Sequence, residues 1–140
     1  MSFSRRELAM LFPAVLSAAG AADESVLPSK CYLFENLPVE KNPKTGMETR
    51  EVFRGKTETG CPLAMHISVL PPGQMPHAAH HHRHEEMMLV KSGTLEATVA
   101  GKTTRVGPGS VIYINSNDEH GLKSVGTVPA QYFVLEIGTD

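Results

Sequence analysis

Residues 63–70 alternate. Leu63, Met65, Ile67 and Val69 share one face of an extended segment, and Ala64, His66, Ser68 and Leu70 share the other. Pro71, Pro72 and Gly73 stop that strand. A continuous apolar run, Met87 to Val90, ends at Ser92 and Gly93, and residues 94–99 alternate again with Leu95, Ala97 and Val99 on one side. Ala100 and Gly101 make a tight turn and residues 102–106 return, which is the clearest hairpin in the chain. Gly107, Pro108 and Gly109 break it. Residues 111–114 read as a buried strand and 115–119 as a turn of Asx residues. Residues 120–125 read as a further strand, 126–129 as its turn, and 131–137 as a last, β-branched and aromatic strand. Upstream, 49–54 predicts a short strand ending at Gly55, with turns at 42–46 and 57–60. Residues 31–37 fit either a short strand or a single turn. No segment after residue 30 carries a helical period of useful length. Short strands with a Gly, Pro or Asn turn about every ten residues predict an all-β sandwich, barrel or jelly roll.

With 140 residues, the chain has room for one domain. Its net charge of −2 and lack of any basic run argue against a nucleic-acid partner, because neutralising phosphates takes clustered Lys and Arg. Cys31 and Cys61 are not spaced as a zinc motif. They read as two small buried apolar residues rather than a disulfide.

The first 22 residues differ in kind from the rest. Arg5 and Arg6 precede a stretch, 8–22, that is apolar but short for a membrane span, and Ala19, Gly20 and Ala21 offer small residues for cleavage. This predicts a twin-arginine-type signal peptide over 1–22, with export to the periplasm and no membrane segment in the mature chain. The competing reading is an apolar N-terminal helix that packs on the domain. Residues 23–62 then form a linker and lead-in strands, and 63–140 the barrel core.

Five of the seven histidines lie between positions 77 and 84, and Glu85 and Glu86 follow directly. Imidazole and carboxylate together suit a divalent first-row metal. In an extended segment His80 and His82 project to one face, so both can grip one ion, with His81 turned outward. Arg83, His84 and Glu85 can turn the chain so that Glu86 opens the next strand. His120 is the only histidine downstream. His77, His81 and His84 remain rivals, and a mobile run that binds metal loosely is the plainer alternative. His66 lies opposite the more apolar face of its strand, where an exposed or hydrogen-bonded histidine is the expectation.

These residues resemble the first motif of the small single-domain cupins: His80-x-His82, three residues, Glu86, six residues, Gly93. Gly73 stands one residue too far upstream for that pattern. The second motif is matched in spacing by Gly109, position 115, position 117, His120 and position 124. Asn115, Asn117 and Ser124 stand where the family usually has proline, glycine and asparagine. The resemblance covers roughly residues 63–137. It implies a double-stranded β-helix jelly roll, here with an N-terminal extension. It implies His80, His82, Glu86 and His120 as ligands of one divalent transition metal, with Mn, Fe, Co, Ni and Zn all compatible. It also implies a homodimer paired through its N-terminal strands.

No reaction transfers with the fold. Four protein ligands leave a six-coordinate ion incomplete, which favours a metal-dependent enzyme on a small, oxygen-rich molecule. Dioxygenase, isomerase and decarboxylase chemistries are the candidates, and a non-catalytic small-ligand or metal binder is the alternative. Met88 and Val90 share parity with Glu86 and are expected pocket walls, with Tyr113 and Phe133 as further candidates. Tyr113 and His84 are the available general acid–base candidates.

Overall fold

The computed structural model describes residues 25–140, so the expected signal peptide lies outside the described residues. Among the described residues nine strands form two antiparallel sheets. β1 (Glu40–Lys41), β2 (Glu48–Lys56), β3 (Pro62–Leu70), β9 (Ala130–Ile137), β4 (Glu85–Ser92) and β7 (Val111–Ile114) lie side by side in that order. β6 (Lys102–Val106), β5 (Leu95–Val99) and β8 (His120–Ser124) make the second sheet. Strands distant in sequence pair within each sheet, as in a double-stranded β-helix jelly roll. Residues 34–36, which fitted either a strand or a turn, form a single 3₁₀ turn. Among the described residues no helix is long and apolar enough to cross a membrane.

The core fills the space between the sheets. Leu70, Met88, Val90, Leu95, Ala97, Ile112, Ile114, Leu122, Ala130, Tyr132 and Val134 pack as one cluster. The alternation that defines β4 puts Glu86, Met88 and Val90 inside and leaves Met87 and Leu89 exposed. At the hairpin tip Ala100 and Gly101 both take positive φ, 48° and 79°, as a two-residue turn matched to strand twist requires.

Two strands present the face opposite to that expected from hydrophobicity. On β3 the inward set is Ala64, His66, Ser68 and Leu70. On β9 Tyr132, Val134 and Glu136 point inward and Phe133 outward. The outer face of β3 is nevertheless sheltered, with Ile67 only 5% exposed. The lead-in segment lies over that side: Tyr32 packs on Phe53 with ring centroids 5.4 Å apart, and the Arg50 guanidinium sits 4.7 Å from the Phe34 ring. Apolar residues on both faces of one strand therefore reflect two coverings, and counting them cannot tell which is the core.

A bulge between Glu51 and Phe53 re-aims the end of β2. Thr49 and Glu51 oppose Ser68 and His66; past the bulge, Arg54 opposes Ala64. Arg54 thereby joins the inner face. It extends a cross-sheet row that runs Arg54, Ala64, Glu136, Glu86, Ile114.

Candidate metal centre

Three elements bring the cluster together. The segment before β4 runs along β8, where His80 and His120 exchange two backbone hydrogen bonds, His80 N to His120 O at 3.0 Å and the reverse at 2.8 Å. Glu86 enters from the start of β4. His82 is held from below by the 115–118 turn, where the Asn117 N–H donates to its carbonyl at 2.8 Å. Asn117 has φ 65°, and Asp118 N closes the turn on Asn115 O at 3.1 Å. Asparagine is among the few non-glycine residues that adopt this conformation readily, so it fills the place of the family's glycine.

The structure gathers His80, His82, Glu86 and His120 at one end of the barrel. Ring centroids are 5.3 Å apart for His80 and His82, 4.5 Å for His80 and His120, and 4.7 Å for His82 and His120. The ligand atoms of these three histidines lie within 4.8 Å of one another, and so do those of His82, His84 and Glu86. Glu86 and His120 are buried.

The donor set could hold a cation. His82 Nδ1 lies 2.8 Å from the carbonyl of His84 and His120 Nδ1 lies 2.9 Å from that of Asp118, so each Nδ1 carries the proton. Each Nε2 then offers a lone pair. The Nε2 of His82 faces Glu86 Oε2 at 2.9 Å and that of His120 faces the same oxygen at 3.8 Å. Acceptors facing one another repel unless a proton or a metal lies between them. The buried Nε2 of His120 and Nδ1 of His80 also have no hydrogen-bond partner. Burial, with the neighbouring His77, His120 and His82, lowers the His80 pKa to about 4, so its ring is neutral and ready to ligate.

The other histidines divide clearly. His81 is exposed. His84 stacks on His82 at 3.6 Å with rings 6° from parallel, and its Nδ1 lies 2.9 Å from Asp140 Oδ1. His77 sits at the mouth, its ring 4.1 Å from that of His80.

The cluster opens into a cavity of about 550 Å³, room enough for a metabolite. Met88, Tyr132 and Val134 supply apolar wall, while Lys41, Asn42 and Thr49 come from the β1–β2 side. Of the expected walls, Met88 lines the cavity. Val90, 1% exposed, is core, and Tyr113, 47% exposed on the outer face, is excluded as an acid–base group. Phe133 is replaced by its neighbours Tyr132 and Val134. Burial, partly offset by the neighbouring Ser68 hydroxyl and reinforced by the charge of Glu86, pushes the Tyr132 phenol up to about 12, so it stays protonated.

His66 and Glu136 also line the cavity. Neither stood out as a site residue in the sequence. The even-numbered positions of β9, Ala130, Tyr132, Val134 and Glu136, carried the signal once their parity was known.

Comparison with known proteins agrees with this architecture. The family described as "Cupin domain" matches residues 66–136. Among curated proteins, none matches the sequence. An RmlC-like cupin from Shewanella frigidimarina superposes with a TM-score of 0.65 at 14% identity, over 76% of this chain and 88% of that one. A predicted oxalate decarboxylase from Thermotoga maritima gives 0.65 at 15% identity, over 77% and 98%. The polyketide cyclase RemF from Streptomyces resistomycificus gives 0.61 at 18%, over 77% and 78%. Identities this low speak to the fold alone. With the family match spanning half of the sequence, the chain belongs to the cupin-domain family.

Proposed function

We propose that this protein is a metal-dependent enzyme acting on a small, oxygen-rich organic molecule, with His80, His82, Glu86 and His120 as the metal ligands. The observation that carries this reading is the set of facing lone pairs on His82, His120 and Glu86, at the inner end of a cavity of metabolite size. A bound Mn, Fe, Co, Ni or Zn ion would supply Lewis acidity and a template for a chelating substrate. The chain's own residues do the rest. The carbonyls of His84 and Asp118 hold the His82 and His120 imidazoles in their tautomers, and the Asn117 N–H fixes the His82 backbone. Met88, Tyr132 and Val134 exclude water from one wall. A predicted oxalate decarboxylase and a polyketide cyclase among the similar structures have names that fit oxygen-rich substrates. Oxygen-dependent ring cleavage is the first reaction to try, then isomerisation and decarboxylation.

The test is elemental analysis of protein purified without affinity chromatography, then turnover against catechols, β-diketones, hydroxy acids and uronates. Stoichiometric metal and a turnover lost in His120→Ala is the expected result. Activity that survives the substitution would rule out the site. Tight metal with no turnover and no exchangeable water would favour a binding protein.

Export belongs to the same proposal. Arg5, Arg6 and the apolar stretch 8–22 motivate it. Mass measurement on protein from the native host should find a mature chain beginning near Ala22; an intact residue-1 start would sink it.

A further inference from the structure

We infer that His66, braced by Glu136 and Arg54, is the proton acceptor of the pocket and takes its proton from a hydroxyl group of the bound ligand. The inference rests on the reading that the cavity takes an oxygen-rich chelating molecule, and it supplies the base which that reading lacks.

The arrangement is a relay built across three strands. His66 on β3 and Glu136 on β9 both line the cavity. His66 Nδ1 lies 3.6 Å from Glu136 Oε1, an ion-pair contact slightly longer than a hydrogen bond. Arg54 Nη1 donates to the other oxygen, Oε2, at 3.2 Å. Two local features make this possible. The bulge in β2 brings Arg54 to the inner face, and the residue between Arg54 and Glu136 in the cross-sheet row is Ala64, whose small side chain lets the guanidinium pass over.

Glu136 is also the cross-strand partner of Glu86. Two carboxylates side by side repel, and each has its own compensation: the histidine cluster for Glu86, and Arg54 with His66 for Glu136. The His66 ring beside it, opposed by burial and helped by the Arg54 charge, holds the Glu136 carboxyl down at about 2. It stays ionised beside the ring. From β2, Glu51 is the Cα partner of His66 and lies 3.9 Å from Arg54, while His84 acts on Glu136 from the start of β4.

Of the other cavity imidazoles, His80, His82 and His120 form the cluster, His84 is tied to Asp140 and stacked on His82, and His77, exposed at the mouth, has its Nδ1 2.9 Å from the Ala78 carbonyl. With Nδ1–H toward Glu136, the basic nitrogen of His66 is Nε2. When a ligand hydroxyl ionises, its O–H bond breaks and the electron pair stays on the ligand oxygen. The proton forms an N–H bond at Nε2, and the resulting imidazolium pairs with Glu136.

Proton counting on the full chain tests this without any assay of turnover. Zinc-loaded protein is titrated with 4-nitrocatechol in two buffers of different ionisation enthalpy, zinc being redox-inert. Absorbance reports ionisation of the probe, and calorimetry reports protons released to solvent. Wild type should retain a proton that His66→Gln releases, so the variant should release about one more per bound nitrocatechol. Glu136→Gln, which leaves the ring but removes its partner, should shift the count in the same direction, so either variant that folds and holds zinc decides the matter. Equal release by wild type and both variants overturns the inference and leaves the chelating pocket standing. If wild type binds no nitrocatechol, the reading of the pocket fails and the inference falls with it.

Discussion

His81 and His82 are neighbours in sequence with opposite surroundings. His82 is enclosed between His84, Glu86 and the 115–118 turn, while His81 faces solvent. Removing the His82 imidazole should abolish stoichiometric metal binding, and His81→Ala should leave it unchanged, as measured by metal content after dialysis against a weak chelator. Equal loss from both would mean that the histidine run binds diffusely. Glu136 gives a second, independent check. Its carboxyl is held at about 2, against an ordinary value of 4.5. A depressed acid stabilises the fold fully above its unfolded value and loses that contribution as pH falls through 4.5 toward 2. After discount for partial exposure, this is worth about 1–2 kcal/mol. Metal-free wild type should therefore lose more stability between pH 5.5 and 3 than metal-free Glu136→Gln, by denaturant unfolding at each pH, with the two curves converging in acid. Parallel curves would mean that Glu136 is not held by its partners. The cluster residues were legible in the sequence because His-x-His and Glu86 fall at short, fixed spacing. His66 and Glu136 were not, because 70 residues separate them and only the register of β3 against β9 makes them neighbours.

Strands were legible at the level of existence and less so at the level of facing. Every strand from β3 to β9 lies where alternation and turn residues placed one, within the usual uncertainty at its ends. The facing of β3 and β9 was not readable, since the lead-in segment covers the outer face and makes apolar residues useful there too. The bulge in β2 left no mark in the sequence, yet it decides where Arg54 points. The corner between β4 and β5 was more explicit. Gly93 has φ 78°, and a Cβ there would lie 2.5 Å from Ala130 Cα and 2.7 Å from Pro129 O. Both the conformation and the space require glycine. Gly93→Ala should cost about 2–4 kcal/mol, from left-handed strain plus displacement of the backbone that enters β9. Denaturant unfolding measures this. A loss under about 0.5 kcal/mol would show that the corner can relax.

At the scale of the whole molecule, one face of the large sheet is unevenly covered. The lead-in segment shelters the side of β2 and β3, but Met87, Leu89, Val111 and Tyr113 remain exposed across β4 and β7. They pair in register, Met87 with Tyr113 and Leu89 with Val111, so they form one patch. Leu33 and Phe34 are also exposed, and Lys91 on β4 lies 5.8 Å from the Phe34 ring, which joins the two regions. Among the described residues β7 ends the sheet with an unpaired edge. A second copy, turned about a two-fold axis, would lay its N-terminal residues on this patch and receive the same in return. We propose this arrangement for the dimer through N-terminal strands that the family resemblance implied, with β4 and β7 as the receiving surface. Apolar patches of this kind on a small domain are commonly interfaces. Light scattering coupled to gel filtration should therefore give twice the 15.2 kDa chain mass for the full sequence. Leu89→Glu combined with Val111→Glu should give the monomer, with metal content retained because both side chains point away from the cluster. A wild-type monomer at micromolar concentration, or a dimer indifferent to the double substitution, would remove β4 and β7 from the interface.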